Sequence, residues 1–118
     1  MGTTDEMRTA RAARNQSLFR EVNERVEELA ARFGDDGATD WVCECADTGC
    51  TERVQMTMLE YEWLREDANR FAVKPGHEVP EVEDVTEWRE RYVVVAKRGV
   101  GDVLVRQADP RAQPDDRF

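Results

Sequence analysis

From Met7 to Phe33 the chain has neither proline nor glycine, and its larger apolar residues recur at alternating steps of three and four. Phe19, Val22, Val26, Leu29 and Phe33 make this stripe; Ala12 and Asn15 extend it backwards and Leu18 widens it. Such a period puts the stripe on one side of an α-helix, so an amphipathic helix is expected over 7–33, ended by Gly34. The stripe can pack on the rest of the chain, or it can pair with a second copy or a protein partner. In the second case Asn15 sits where one polar core residue sets register. Arg8, Arg11 and Arg14 form a basic strip expected to be solvated. Residues 34–40, with two glycines and three aspartates, read as a linker.

Beyond residue 40 the pattern breaks into short elements. Trp41-Val42-Cys43 begins an extended segment, and Arg53 to Thr57 alternates as a strand does. Thr57 followed by Glu60 is a capping box, opening a helix from Met58 towards Asp67 or Ala68, with Asn69 as its stop. Phe71-Ala72-Val73 reads as a strand ended by Lys74-Pro75-Gly76. Val79, Val82 and Val85 stand three apart, a spacing that decides nothing. Their β-branched side chains, and the strong strand signal from Tyr92 to Lys97, favour a strand with Trp88–Arg91 as the hairpin connection.

The carboxylates Glu78, Glu81, Glu83, Asp84 and Glu87 are expected on a solvated face, and Trp63 and Trp88 in the core. Gly99-Val100-Gly101-Asp102 interrupts the order, and Val103-Leu104-Val105 is expected as a short edge segment. Residues 107–118, polar and interrupted by proline, read as a disordered tail. The expected fold class is α+β. A long N-terminal amphipathic helix precedes a small, zinc-clamped antiparallel sheet with one short helix, spanning 41–106.

The chemistry concentrates in that second part. Cys43 and Cys45 stand two apart in an extended segment, so their side chains share one face while Glu44 points away. Ala46-Asp47-Thr48-Gly49 has turn residues that can return Cys50 beside them. The only histidine, His77, follows Pro75-Gly76, a pair suited to a type II turn. Cys43, Cys45, Cys50 and His77 are therefore candidate ligands of a structural Zn²⁺, which accepts thiolate and imidazole in a closed tetrahedron. Three alternatives stay open: another fourth ligand, ordinary thiols beside a turn histidine, or a Cys45–Cys50 disulfide.

Charge narrows the partners. With 17 basic and 26 acidic residues the chain carries −9, against the basic surface that duplex nucleic acid or an anionic membrane requires. No apolar run reaches the roughly 18 residues of a membrane span. The first residues lack a basic n-region and an apolar h-region, so no signal peptide is expected and a cytoplasmic location is. In a reducing compartment three clustered cysteines favour metal over disulfide.

Several segments together carry a resemblance: Arg14 to Val26, Trp41 to Glu52, Glu60 to Glu62, Arg70 to Val73 and Pro75 to Glu81. With them, residues 8–97 resemble a family of short uncharacterised actinobacterial proteins. The resemblance implies a high-GC Gram-positive source and brings no activity with it. For catalysis the sequence offers no free histidine, no patterned carboxylates and no phosphate loop; Gly99-x-Gly101 lacks the rest of any fingerprint. A small zinc hydrolase would need water in place of His77. The expected role is a non-catalytic interaction or regulatory protein whose residues Phe19, Val22, Val26, Leu29 and Phe33 meet a protein partner or a second copy. A thiol-based redox or zinc-responsive switch is the alternative.

Overall fold

The stretch without helix breakers forms α1, Thr3–Arg32, about 45 Å long at the α-helical rise. The computed structural model describes residues 3–33 and 37–111, so residues 34–36 of the expected linker, Gly34 among them, lie outside the described residues. β1 (Thr39–Val42) pairs antiparallel with β2 (Arg53–Met56), so Thr39 and Asp40 belong to a strand rather than to the linker. β3 (Phe71–Val73), β4 (Glu83–Trp88) and β5 (Val93–Lys97) form a second antiparallel sheet in the order β3-β5-β4. β5 is central, and Val93, Val94 and Val95 are all buried, which is why its sequence is a continuous apolar run.

α2 (Met58–Arg65) starts as its capping box requires. The Glu60 N–H donates to the Thr57 hydroxyl at 3.1 Å, and the Thr57 N–H donates to the Glu60 carboxylate at 2.8 Å. The helix ends at Glu66, slightly before the expected stop. Beneath it the Trp41 and Tyr61 rings stack with centroids 4.1 Å apart, packed with Val54, Met56, Leu64, Ala72, Tyr92 and Val94. A second cluster gathers Ala13, Phe71, Val73, Val93, Val95 and Val105 around Cys43 and Cys45.

Four expectations are corrected. Val79 and Val82 precede the strand instead of forming it: the N–H groups of Val82 and Glu83 both donate to the Val79 carbonyl in a turn. Trp88 closes β4 and is 67 % exposed, so it is not a core residue, and the hairpin connection moves to 89–92. Glu83 is buried, not solvated, and pairs with buried Lys97 at 3.0 Å. Val100–Gln107 forms a second short helix, α3, where an edge segment was expected.

The last correction has a tertiary cause. Gly101, Leu104 and Val105 share one helix face, and that face packs against α1. A Cβ at Gly101 would lie 3.1 Å from Thr9 Cγ2 and 3.2 Å from Lys97 Cβ, so any side chain there would push these neighbours back by a few tenths of an ångström. Packing overrides the β-branched preference of Val100, Val103 and Val105. Arg111, at the end of the described chain, reaches Glu24, Glu27 and Glu62; residues 112–118 of the expected tail lie outside the described residues.

α1 lies against β1 and α3 through a face that is not its most apolar one. Its buried residues are Ala12, Ala13, Gln16, Ser17, Arg20, Asn23 and Ala30. From the expected stripe, Val26 packs on the Trp41 cluster and Phe19 is half-buried, while Val22, Leu29 and Phe33 are exposed. Asn15 is not at an interhelical seam either, since its amide donates to the Ala46 carbonyl at 2.7 Å.

Replacing Gly101 with valine is expected to lower stability by about 1–3 kcal/mol through overpacking against Thr9 and Lys97. Urea denaturation checks this; an unchanged midpoint would contradict the close approach of α3 to α1.

Candidate metal centre

Two short arms build the cluster. In the first, Cys43 and Cys45 flank Glu44 in extended backbone held on both sides: the Cys43 N–H donates to the Glu52 carbonyl at 3.1 Å, and the Glu44 N–H to the Ala72 carbonyl at 2.9 Å. The Asp47 side chain then accepts from the Gly49 N–H at 2.9 Å, and the Cys50 N–H closes on the Asp47 carbonyl at 3.0 Å. This Asx turn swings Cys50 back beside the other two thiols.

The second arm is Lys74-Pro75-Gly76-His77. The His77 N–H donates to the Lys74 carbonyl at 2.9 Å, and Gly76 has φ +95°, the third position of a type II turn. His77 Nδ1 lies 3.7 Å from Cys43 Sγ and 3.5 Å from Cys50 Sγ. A tetrahedron with Zn–S about 2.3 Å and Zn–N about 2.05 Å calls for an S···N separation of about 3.6 Å. The four ligand atoms all lie within 4.8 Å of one another, so Cys43, Cys45, Cys50 and His77 can hold one metal ion, with Nδ1 facing it. This donor set fits Zn²⁺, and with four protein ligands it leaves no position for water.

Three thiolates against a dication leave a net charge of about −1. The Lys74 N–H, which donates to Cys43 Sγ at 3.1 Å, offsets part of it. Without metal the thiols share protons: the hydrogen bond from Cys43 holds Cys45 down to about 5, and the same contact pushes Cys43 far up. Burial raises Cys50. Cys43 and Cys45 are buried, while Cys50 and His77 are half-buried, and a cavity of about 410 Å³ opens beside Cys45 and His77.

Glu44 points away from the thiols into a polar cage that the sequence did not reveal. Its carboxylate accepts from Arg20 Nε at 2.8 Å and Nη2 at 3.0 Å, from Asn23 Nδ2 at 2.9 Å and from the Ala72 N–H at 3.0 Å. Arg20 also donates to the Arg70 carbonyl and stacks over the Phe71 ring. Asn23 holds both backbone groups at Val42. Gln16 donates to the Glu44 carbonyl at 3.0 Å and to Glu83 at 3.2 Å, linking this cage to the Glu83–Lys97 pair. Gln16, Arg20 and Asn23 recur at helical spacing, the one signal that could have found them, but polar residues so spaced ordinarily face water.

Breaking the buried pair with Arg20→Ala leaves the Glu44 carboxylate uncompensated, an expected loss of about 3–5 kcal/mol in denaturant unfolding. Arg20→Ala with Glu44→Ala should cost less than Arg20→Ala alone. Metal affinity should rise with pH, because entry at neutral pH displaces protons from Cys43 and Cys50 while Cys45 already carries charge. Chelator competition is expected to report roughly 100-fold per pH unit around neutrality; a flat profile would contradict thiolate ligation.

Comparison with known proteins finds no match: no protein-family model, no curated protein and no solved structure matches this chain.

Proposed function

We propose that this protein is a non-catalytic zinc-binding interaction module, in which a structural Zn²⁺ on Cys43, Cys45, Cys50 and His77 fixes the fold and α1 presents a surface to a protein partner or to a second copy. The observation that carries the reading is the convergence of four protein donors within 4.8 Å of one another, with two S···N separations of 3.7 and 3.5 Å that suit a tetrahedral site. Such a site stabilises by cross-linking, here joining the cysteine arm to the turn after β3, and its binding energy counts as folding energy. Hydrolysis would need an open metal position, which the four donors take.

The polar docking face of α1 supports the interaction half. It leaves Leu18, Val22, Leu29 and Phe33 towards solvent, with Phe33 82 % exposed. Apolar side chains grouped on one face in this way mark contact surfaces. No helix among the described residues is long and apolar enough to cross a membrane.

One observation favours a second reading, a redox- or zinc-responsive switch. Cys50 and His77 are half-buried, a cavity opens beside Cys45 and His77, and Glu44, between two of the cysteines, is the residue that α1 grips. Oxidation of the thiols would release the metal and loosen that grip.

Elemental analysis of purified protein is expected to give one zinc per chain, with loss of zinc and a lower Tm in Cys45→Ser and His77→Ala. Absence of zinc in the wild type would overturn the reading, and wild-type zinc and Tm in His77→Ala would remove His77 as a ligand. Dilute peroxide separates the two readings: zinc retention supports the structural module, and zinc release with a change in association state supports the switch.

A further inference from the structure

The segment after α3 is tied down by one guanidinium. Arg111 Nε donates to Glu24 at 2.8 Å, Nη2 donates to Glu27 and to Glu62 at 2.7 Å each, and Nη1 donates to Glu62 at 3.1 Å. Glu24 and Glu27 stand one turn apart on α1 and Glu62 is on α2, so this side chain joins three elements distant in the chain. Two residues earlier, Asp109 pairs with the buried Arg65 of α2, whose Nε also donates to Glu24 at 3.1 Å. The Tyr61 hydroxyl donates to Glu24 at 2.7 Å, and the Arg111 guanidinium lies 6.0 Å from the centroid of the Tyr61 ring.

The charges gathered here do not balance. Glu24, Glu27, Glu62 and Asp109 bring four carboxylates to two guanidiniums, those of Arg65 and Arg111. Glu21, Arg25 and Glu28 of α1, which line the cavity beside Pro110, leave the excess negative. Two carboxylate oxygens held 2.7 Å from one nitrogen stand close to each other, and Glu27 is mostly buried while Glu62 is half-exposed. Like charges so placed favour keeping one proton between them. Burial, with a hydrogen bond and repulsion from Glu62, pushes the Glu27 carboxyl up to about 7, while hydrogen bonds from Arg111 and Glu27 hold Glu62 down to about 2. Both values belong to the pair rather than to either residue alone.

We propose that Glu27, Glu62 and Arg111 form a pH-sensitive clasp: a proton shared by the two carboxylates lets the segment after α3 close on α1 and α2, and loss of that proton loosens it. A carboxyl raised above its ordinary 4.5 in the folded chain stabilises fully below that value, and the contribution is lost as pH rises through about 7. Glu62 acts in the opposite sense, and its share is lost only as pH falls through about 2. Around neutrality the clasp therefore tightens on acidification, the reverse of the trend expected at the metal site. It shares no residue with that site and does not depend on it.

Carbon-detected NMR on the metal-loaded full chain tests the clasp, following the Glu27 and Glu62 carboxyls and the backbone of Asp109 and Arg111, with zinc content measured at each pH. The expected result is a carboxyl step on the pair at about pH 7, with the Asp109 and Arg111 resonances moving at the same midpoint. Glu27→Gln should abolish that step, and Glu62→Gln should bring the Glu27 midpoint down by about one unit or more. Between about pH 6 and pH 8 the Tm of the wild type should fall relative to that of Glu27→Gln, a difference in which any change at the zinc site cancels. Titration of both carboxyls below about pH 5 would overturn the proposal, as would Asp109 and Arg111 resonances that stay still through the Glu27 step. Zinc loss with the clasp step intact fails the metal reading alone.

Discussion

The carboxylate of Glu44 is the constraint on which the rest of the molecule depends. It stands between two thiols, so the backbone that aims Cys43 and Cys45 at one point aims Glu44 the other way, into the protein. There Arg20, Asn23 and the Ala72 N–H saturate it. One tripeptide thus joins three parts: the cysteine turn, the edge of β3 and the long helix. A buried ion pair is weak evidence of net stability, because desolvation offsets most of its attraction. Its value here is geometric, since only one register of α1 brings Gln16, Arg20 and Asn23 to their acceptors together.

That polar docking explains the unusual division of α1. A helix held by apolar contacts would have turned Val22 and Leu29 inward, as a hydrophobic stripe ordinarily does. Because Arg20 must reach Glu44, the helix is rotated, and the apolar residues are distributed between a flank under Val26 and an exposed seam. The same rotation brings Ala13 and Thr9 against α3, where Gly101 completes the fit.

The readable parts of the sequence are those whose chemistry is local. The capping box at Thr57 and Glu60, the turn at Pro75-Gly76, the β-branched run of β5 and the two-residue spacing of Cys43 and Cys45 each specify structure within a few residues, and each forms as expected. What escaped was decided at long range. Val100–Gln107 is helical because α1 receives it, and Glu83 is buried because Lys97 and Gln16 meet it there. Glu44 was placed on the correct side of its strand, but nothing in an acidic chain distinguishes a carboxylate with a distant arginine waiting for it. The four candidate metal donors were legible by exhaustion, since the sequence has only three cysteines and one histidine. The Nδ1 approach of the imidazole needed coordinates.

The account stands on the metal being bound by three sulfurs and one nitrogen. X-ray absorption at the zinc edge of the purified, metal-loaded protein measures that shell directly. Three scatterers at about 2.3 Å and one at about 2.05 Å, with the outer-shell signature of imidazole, are predicted. A shell with oxygen in place of the nitrogen, or with fewer than three sulfurs, would contradict the closed Cys43–Cys45–Cys50–His77 site.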